Sequence, residues 1–370
     1  MRPLAHDPAS PTHPIAQVPA MTTAPTRIHD DRIGDAYDRL AACSPQASIY
    51  CQRWWLDAVA PGQWQILSVG DKQNLHAAWP IVTHQQGRSG RTDVVMPAMT
   101  QKLGILLPPP NPKQKYAEQL SRQHQHIEAL IRQLPTTGSF QHNFHEAFTN
   151  HLPFCWNDFE QTARFTYLLP DLSDLDQLWT NLRTAPRTAI RAARDEQLEV
   201  TDTIDFEEML DLNALTFARQ GMAPPVSREL LRRIDQACLQ HAGRKIVAAR
   251  DPQGRLHAAV YIVYHDRVAY HLLVGSDPGL RRFNGVALAL WEAIRFASTV
   301  ADVFDFEGSM MRNVEQTNRA FGGRQTPYSC ITKPGPLAIP ARALRKVRHL
   351  TGKFKTHLNS YHRAAARNSN

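Results

Sequence analysis

Residues 303–309 read Val-Phe-Asp-Phe-Glu-Gly-Ser. Side chains alternate along a strand, so Phe304 and Phe306 point one way and Asp305 and Glu307 the other. The phenylalanines belong to a core. The carboxylates belong to a surface or a cleft, and Gly308-Ser309 opens the strand into a loop beside them. A carboxylate in a cleft has its pKa raised by burial and then serves as a base near neutral pH. Glu307 is therefore the candidate general base, acting directly or through a water. The bland alternative is a solvated strand end.

Upstream, an apolar run at 268–277 is followed by "PGLRRFNGVALALWEAIRFAS" (278–298). Val286, Leu288, Ala289, Leu290, Ala293, Ile294 and Ala297 predict a helix with a broad apolar face, starting after Asn284-Gly285. A helix start leaves backbone N–H groups unpaired, which makes an anion site. Arg281 and Arg282 stand at its mouth, and Gly285 would let the backbone approach a phosphate closely. A second basic feature is Arg183, Arg187, Arg191 and Arg194, spaced to share one helix face. That face suits an anionic acceptor or simply solvent, and Pro186 must sit near the helix start.

These residues need a frame, and the frame is repeated. Residues 66–83, "ILSVGDKQNLHAAWPIVT", and 246–264, "IVAARDPQGRLHAAVYIVY", both read strand, Asp-containing turn, Leu-His-Ala-Ala, strand. Each follows a helical pattern, at 50–61 and at 228–242, the latter through Leu230, Leu231, Ile234 and Leu239. The reading is two α/β domains of similar fold: 31–165 and 166–333.

The order of strand, "RRFNGVALALWEAIRFA", "FDFEGSM" and "NRAFGG" resembles the GNAT-like acyltransferases of the FemAB group, which carry tandem N-acetyltransferase folds. Arg282 to Ala287 is similar to the GNAT phosphate-binding pattern, (Gln/Arg)-x-x-Gly-x-(Gly/Ala). Residues 162–200 and 96–109 resemble segments of the same group, and the likeness spans about 35–333. It implies two GNAT-like domains with mixed central sheets flanked by helices. It also implies transfer of an acyl group to an amine, with acyl-CoA, acetyl-CoA above all, as co-substrate and no metal. Arg281, Arg282, Asn284, Gly285 and Ala287 would hold the donor. Arg187, Arg191, Glu315 and Arg319 would face the acceptor, a small-molecule or lipid-linked amine of cell-envelope or polysaccharide biogenesis placed between the domains. Members that build peptidoglycan take aminoacyl-tRNA instead. No heptad arm of the kind they often carry occurs here, which favours the thioester. A catalytically inactive binding protein is the remaining alternative.

Amide formation supplies a further constraint. Its oxyanion needs N–H or hydroxyl donors, for which backbone at Val274-Gly275, Ser309 and Tyr328 are candidates. Tyr328 also suits protonation of a leaving thiolate, or is a half-buried strand aromatic.

Composition excludes several classes. The chain has 370 residues, a net charge of +8 and five scattered cysteines without a CxxC pair, so neither a disulfide framework nor a zinc site is indicated. The basicity is local. Residues 333–370 hold nine Lys/Arg and no acid, and 1–332 carries a net charge of −1. The tail 334–370 fits an amphipathic helix on an anionic membrane or a loosely ordered extension. The leader 1–30, with six prolines, predicts disorder, and Met21 is a second candidate start. No secretory h-region or membrane-spanning run is present in the sequence, which suggests a cytoplasmic protein, peripheral at most.

Overall fold

The computed structural model describes residues 31–86, 91–135, 138–219, 221–308 and 310–335. The expected leader and tail, and Ser309, lie outside them. In chain order the helices and strands are α1 (Asp31–Cys43), α2 (Arg53–Val59), β1 (Trp64–Gly70), β2 (Leu75–Gln86), β3 (Arg91–Val95), α3 (Tyr116–Ile131), β4 (Phe140–Asn143), α4 (Leu152–Trp156) and β5 (Glu160–Leu169). There follow α5 (Leu175–Asn181), α6 (Thr184–Asp195), β6 (Glu199–Thr201), α7 (Phe206–Ala218), α8 (Arg228–His241), β7 (Gly243–Arg250), β8 (Leu256–His265) and β9 (Val268–Ser276). The chain closes with α9 (Gly285–Ala297), β10 (Val303–Asp305), α10 (Arg312–Ala320) and β11 (Arg324–Lys333).

The strands form one mixed sheet, ordered β1-β2-β3-β4-β11-β5-β10-β9-β8-β7-β6. Equating β1–β5 with β7–β11 makes that order read the same from either end, apart from β6 at one edge. Each half is an antiparallel three-stranded meander followed by a crossover helix, α3 or α9, and a parallel strand, β4 or β10. The last strand of each half then crosses over. β5 pairs with β10 of the second half, and β11 pairs with β4 of the first. β5 and β11 pair with each other over nine residues. The two expected sheets are thus one, and residue 165, the expected junction, lies inside β5.

The repeat read in the sequence is a repeat in register. Gly70 faces Leu75 and Arg250 faces Leu256, each at a bulge that follows the first strand. Asp71 Oδ1 accepts from the backbone of Gln73 and Asn74, and Asp251 Oδ1 from that of Gln253 and Arg255. These Asp-turns bend the backbone and fix the hairpin register.

Helix ends follow local chemistry. Asp205 and Glu208 form a capping box on α7, and Ser227 caps α8 by accepting from Leu230 N–H. Pro186 lies in the first turn of α6, where a missing N–H costs little. The inner face of α8 carries Leu231, Ile234 and Cys238. Leu239, expected inside, is exposed. The 3.6-residue period carries the buried stripe from 234 to 238, leaving 239 about 100° off it.

Two cores sandwich the second half of the sheet. One holds Tyr50, Trp55, Ala248, Ala259, Tyr261 and Tyr270. The other, under α9, holds Val260, Ala269, Leu290, Phe304, Phe306 and Phe321.

Candidate active site

β10 pairs with β9 only from Val303–Val268 to Asp305–Tyr270. Beyond that point the strands part. β9 runs on to Ser276 against β8 alone. The other chain turns toward β5, through Phe306 N–H to Tyr167 O and Gly308 N–H to Thr166 Oγ1 (3.1 Å). The parting leaves the edge of β9 from His271 to Ser276 without a strand partner. Helix α7 answers part of it, with Asn213 Nδ2 donating to Val274 O (2.8 Å) and Ser276 N–H to Thr216 Oγ1 (3.0 Å). Gly275 permits that approach, since a Cβ there would lie 2.6 Å from Asn213 N.

On the α9 side the parting opens into a cleft of about 420 Å³. It is bordered by Arg281, Asn284, Gly285 and Ala287 at the start of α9, by Thr216 and Arg219 of α7, and by Asn313 and Thr317 of α10. Asn284 adopts a left-handed conformation, φ +62°, which turns the preceding 3-10 helix into α9. The first N–H groups of that helix therefore border the cleft beside Arg281, a site suited to phosphate. Arg282 is not part of the lining; its guanidinium lies over the Phe283 ring, 4.7 Å from the centroid. Gly285 has a packing role that the sequence reading did not anticipate. A Cβ there would lie 2.8 Å from His257 Cβ, so the missing side chain lets α9 sit close on β8.

Through the sheet, on the side of Tyr50 and Tyr270, lies Glu307. It is half-buried, with φ +55°. Its backbone N–H donates to Asp305 Oδ1 (2.9 Å), and Tyr50 Oη donates to its Oε1. Burial pushes the Glu307 carboxyl up to about 8, aided by Asp305 and Glu146 and opposed by Lys102 and Tyr50. Asp305 is 1% exposed. It accepts from Thr166 Oγ1 (2.5 Å) and from Lys102 Nζ (2.8 Å), which also donates to Glu146 (2.9 Å). Burial alone would lower the Lys102 pKa, but Asp305 first and then Glu146 hold it well above the usual lysine range. Tyr328 is buried on β11, and burial pushes its hydroxyl up to about 12, with Arg164 opposing and Glu307 adding.

The sequence-derived residues thus fall into separate groups. Glu307 and Tyr328 stand within electrostatic reach of each other. Arg281, Asn284, Gly285 and Ala287 border the cleft. On α10, Glu315 accepts from Tyr167 Oη (3.1 Å) and Arg319 Nε (2.7 Å). On α6, Arg191 lies 5.9 Å from the Trp179 ring centroid, Arg194 pairs with Glu292, and Arg183 is the N-cap. The sequence reading missed Tyr50, Lys102, Glu146 and Thr166. They are separated from Asp305 or Glu307 by 139 to 257 positions, and no spacing signal spans such distances. A Lys directly before the apolar run "LGILL" was the one local hint.

No group of His, Cys, Asp and Glu suited to a metal occurs among the described residues, and none of their helices is long and apolar enough to cross a membrane. All five cysteines are unpaired.

Comparison with known proteins bears on the fold and on the class of domain. Residues 180–311 match the acetyltransferase (GNAT) domain family. No curated protein matches the chain in sequence. Among solved structures, FemX superposes with a TM-score of 0.60 at 11% identity, over 82% of this chain and 96% of that one. A tandem GNAT protein from the clavulanic acid biosynthesis pathway gives 0.50 at 12% identity, over 85% and 98%. The C-terminal domain of a putative lysylphosphatidylglycerol synthetase from Agrobacterium fabrum gives 0.50 at 12%, over 86% and 96%. At these identities the superpositions speak to fold, and the matched domain to the class of reaction. The chain carries a GNAT acyltransferase domain within a FemX-like, tandem GNAT fold.

Proposed function

We propose that the protein transfers an acyl group from acyl-CoA to an amine, the donor lying in the α9 cleft and the amine arriving beside Glu307. The observation that carries this reading is the parting of β9 and β10. It lies between a helix N-terminus with Arg281 on one side and a base with a raised pKa on the other. Arg281 and the start of α9 suit a pyrophosphate, and the free edge of β9 offers backbone partners to an extended amide-bearing arm.

Glu307 takes a proton from the ammonium form of the acceptor. The neutral amine nitrogen then bonds to the thioester carbonyl carbon, the C–S bond breaks and the thiolate takes a proton, while the second proton that the nitrogen sheds as the amide forms returns to the group that protonated the thiolate. Tyr328, kept protonated by burial, is the candidate for that group. The acceptor is a small-molecule or lipid-linked amine. A place on the inner face of a membrane and a role in envelope biogenesis remain part of this proposal, not of the fold.

Titration with acetyl-CoA and with aminoacyl-tRNA tests the donor. Micromolar binding of acetyl-CoA, weakened at least about 10-fold in Gly285→Ala as overpacking against His257 shifts α9, supports the thioester. Retention of aminoacyl-tRNA without CoA binding supports the ligase reading instead. Binding of neither favours a protein that has lost catalysis.

A further inference from the structure

The two halves differ most where β3 and β9 should correspond. β9 pairs with β8 over its whole length, from Val268 to Ser276, with a single bulge. β3 pairs with β2 only up to Val95, and pairing resumes at the isolated bridge between Leu106 and Ala78. Between them the chain makes an excursion over 96–102 that the second half lacks. Its end enters the other half's site. Gln101 Nε2 donates to Gly308 O (3.2 Å), the carbonyl just after Glu307. Lys102 Nζ donates to Asp305 Oδ2, while Oδ1 of the same carboxylate accepts from Glu307 N–H. Lys102 is 2% exposed, and Glu146 of the same half takes a second of its three protons. The Glu307 loop is therefore held on both flanks by one segment of the first half.

We propose that the 96–102 excursion is a positioning arm for the candidate base, with Lys102 as its positioning residue, so that the second half is incomplete without the first. This rests on Glu307 being the base. The arm works in two ways. Holding Asp305 fixes the backbone of Glu307 in its left-handed conformation. The ammonium also offsets the repulsion between the Asp305 and Glu307 carboxylates. The other groups facing Glu307 are Tyr50, Tyr270, Tyr328, Glu146 and, beside Glu146, His145. Burial keeps the three phenols protonated and pushes His145 down to about 4, so Lys102 is the cation that dominates this surface.

The test is a carboxyl titration of Glu307 by ¹³C NMR, assigned with Glu307→Gln and run without donor or acceptor. The parent midpoint is expected near 8. Lys102→Met should move it up by about 1 unit, and Asp305→Asn should move it down by a similar amount. Opposite shifts are something a merely structural role would not give. With acyl transfer as the second readout, Lys102→Met should lower kcat about 100-fold while the KM for the donor holds. An unmoved midpoint in Lys102→Met, or shifts of the same sign, overturns the proposal. If Lys102→Met alone does not fold, the double variant Lys102→Met/Asp305→Asn replaces it. Its buried ion pair is gone as a unit, and its midpoint must lie about 1 unit above that of Asp305→Asn; equal midpoints overturn the proposal. If the titrations behave as stated and no amine is acylated, it is the functional reading that fails and the arm that stands.

Discussion

The halves share a hairpin, a crossover helix and a parallel strand, yet spend the end of that strand differently. In the first half, β4 runs into an aromatic cluster. Trp79 Nε1 donates to His142 Nε2 (3.1 Å), and Phe140, Phe144, Phe148 and Phe154 pack around the indole and one another. Burial pushes His142 down to about 3, so it stays neutral and serves as an acceptor within the core. In the second half, β10 ends at Asp305, two residues before Glu307, where β9 loses its partner on that side. One copy used the position for packing and the other for charge. The charged copy then needs a counter-cation, and the packed copy supplies it as Lys102. A duplication thus lets stability and chemistry separate onto two versions of one unit, with the cost of buried carboxylates offset across the interface between them.

The largest contrast should come from removing the carboxylate of each half. Glu307→Gln keeps the shape but no longer accepts a proton, so kcat should fall by about 10²–10⁴-fold while donor affinity is retained. Glu146→Gln removes the acid contributed by the first half, which is bonded to Lys102 and acts on Glu307 only through its charge. Its effect on kcat should stay within about 10-fold, because Asp305 still holds the lysine. Steady-state acyl transfer to one amine, with both variants at saturating donor, gives the comparison. Equal losses would place both carboxylates in the chemistry and undo the assignment of roles.

Much of the second half was legible because its signals are local. The Asn284-Gly285 helix start, the apolar face of α9 and the Phe/acid alternation at 303–307 are each contained in one short stretch of chain. Local periodicity and turn chemistry report such features directly. The internal repeat was legible for the same reason, since Leu-His-Ala-Ala opens the second strand of both hairpins. The exchange of β5 and β11 was not. Both read as ordinary strands, and which neighbour a strand takes is decided by the whole sheet. The partners of Glu307 were hidden likewise, because Tyr50 sits on a 3-10 turn and Lys102 in an excursion with no periodic pattern. Gly285 was found for one reason and is held in place by another: His257 on β8 leaves no room for a Cβ.

A subtler contrast concerns what the first half does to the base through Tyr50. Its hydroxyl donates to Glu307 and favours the ionised carboxylate. Only the ionised form accepts a proton, so the kcat/KM of the parent should rise with pH and reach half its plateau near 8. Tyr50→Phe removes the donor, which raises the Glu307 pKa and moves that midpoint to higher pH. The rate at pH 7 should fall by roughly 3–10-fold, and the plateau at high pH should be largely kept. A pH–rate profile from 6 to 10 reads both. A midpoint displaced downward would mean that Tyr50 stabilises the neutral acid, reversing its role.

The smallest expected effect compares the two histidines of the repeat. His257 is buried, and its Nε2 lies 2.9 Å from Asp251 Oδ2, an oxygen also taken by Arg255. That pair closes the β7–β8 turn and supports the strand on which the start of α9 rests. His76, at the matching place in β2, is exposed and stacks on His126 with 5.7 Å between ring centroids. Asp71, the counterpart of Asp251, has backbone partners in its turn. Replacing His257 by Leu takes one partner from a buried carboxylate that keeps Arg255 and its turn N–H groups, so unfolding in urea should show a loss of about 1–3 kcal/mol. His76→Leu changes an exposed ring stacked on a half-buried one and should stay within about 0.5 kcal/mol of the parent. If the two losses were equal, the hairpins would be equivalent supports, and the specialisation of the second copy would be confined to its strand ends. A loss confined to His257 extends the division of labour to the turn that holds the donor cleft.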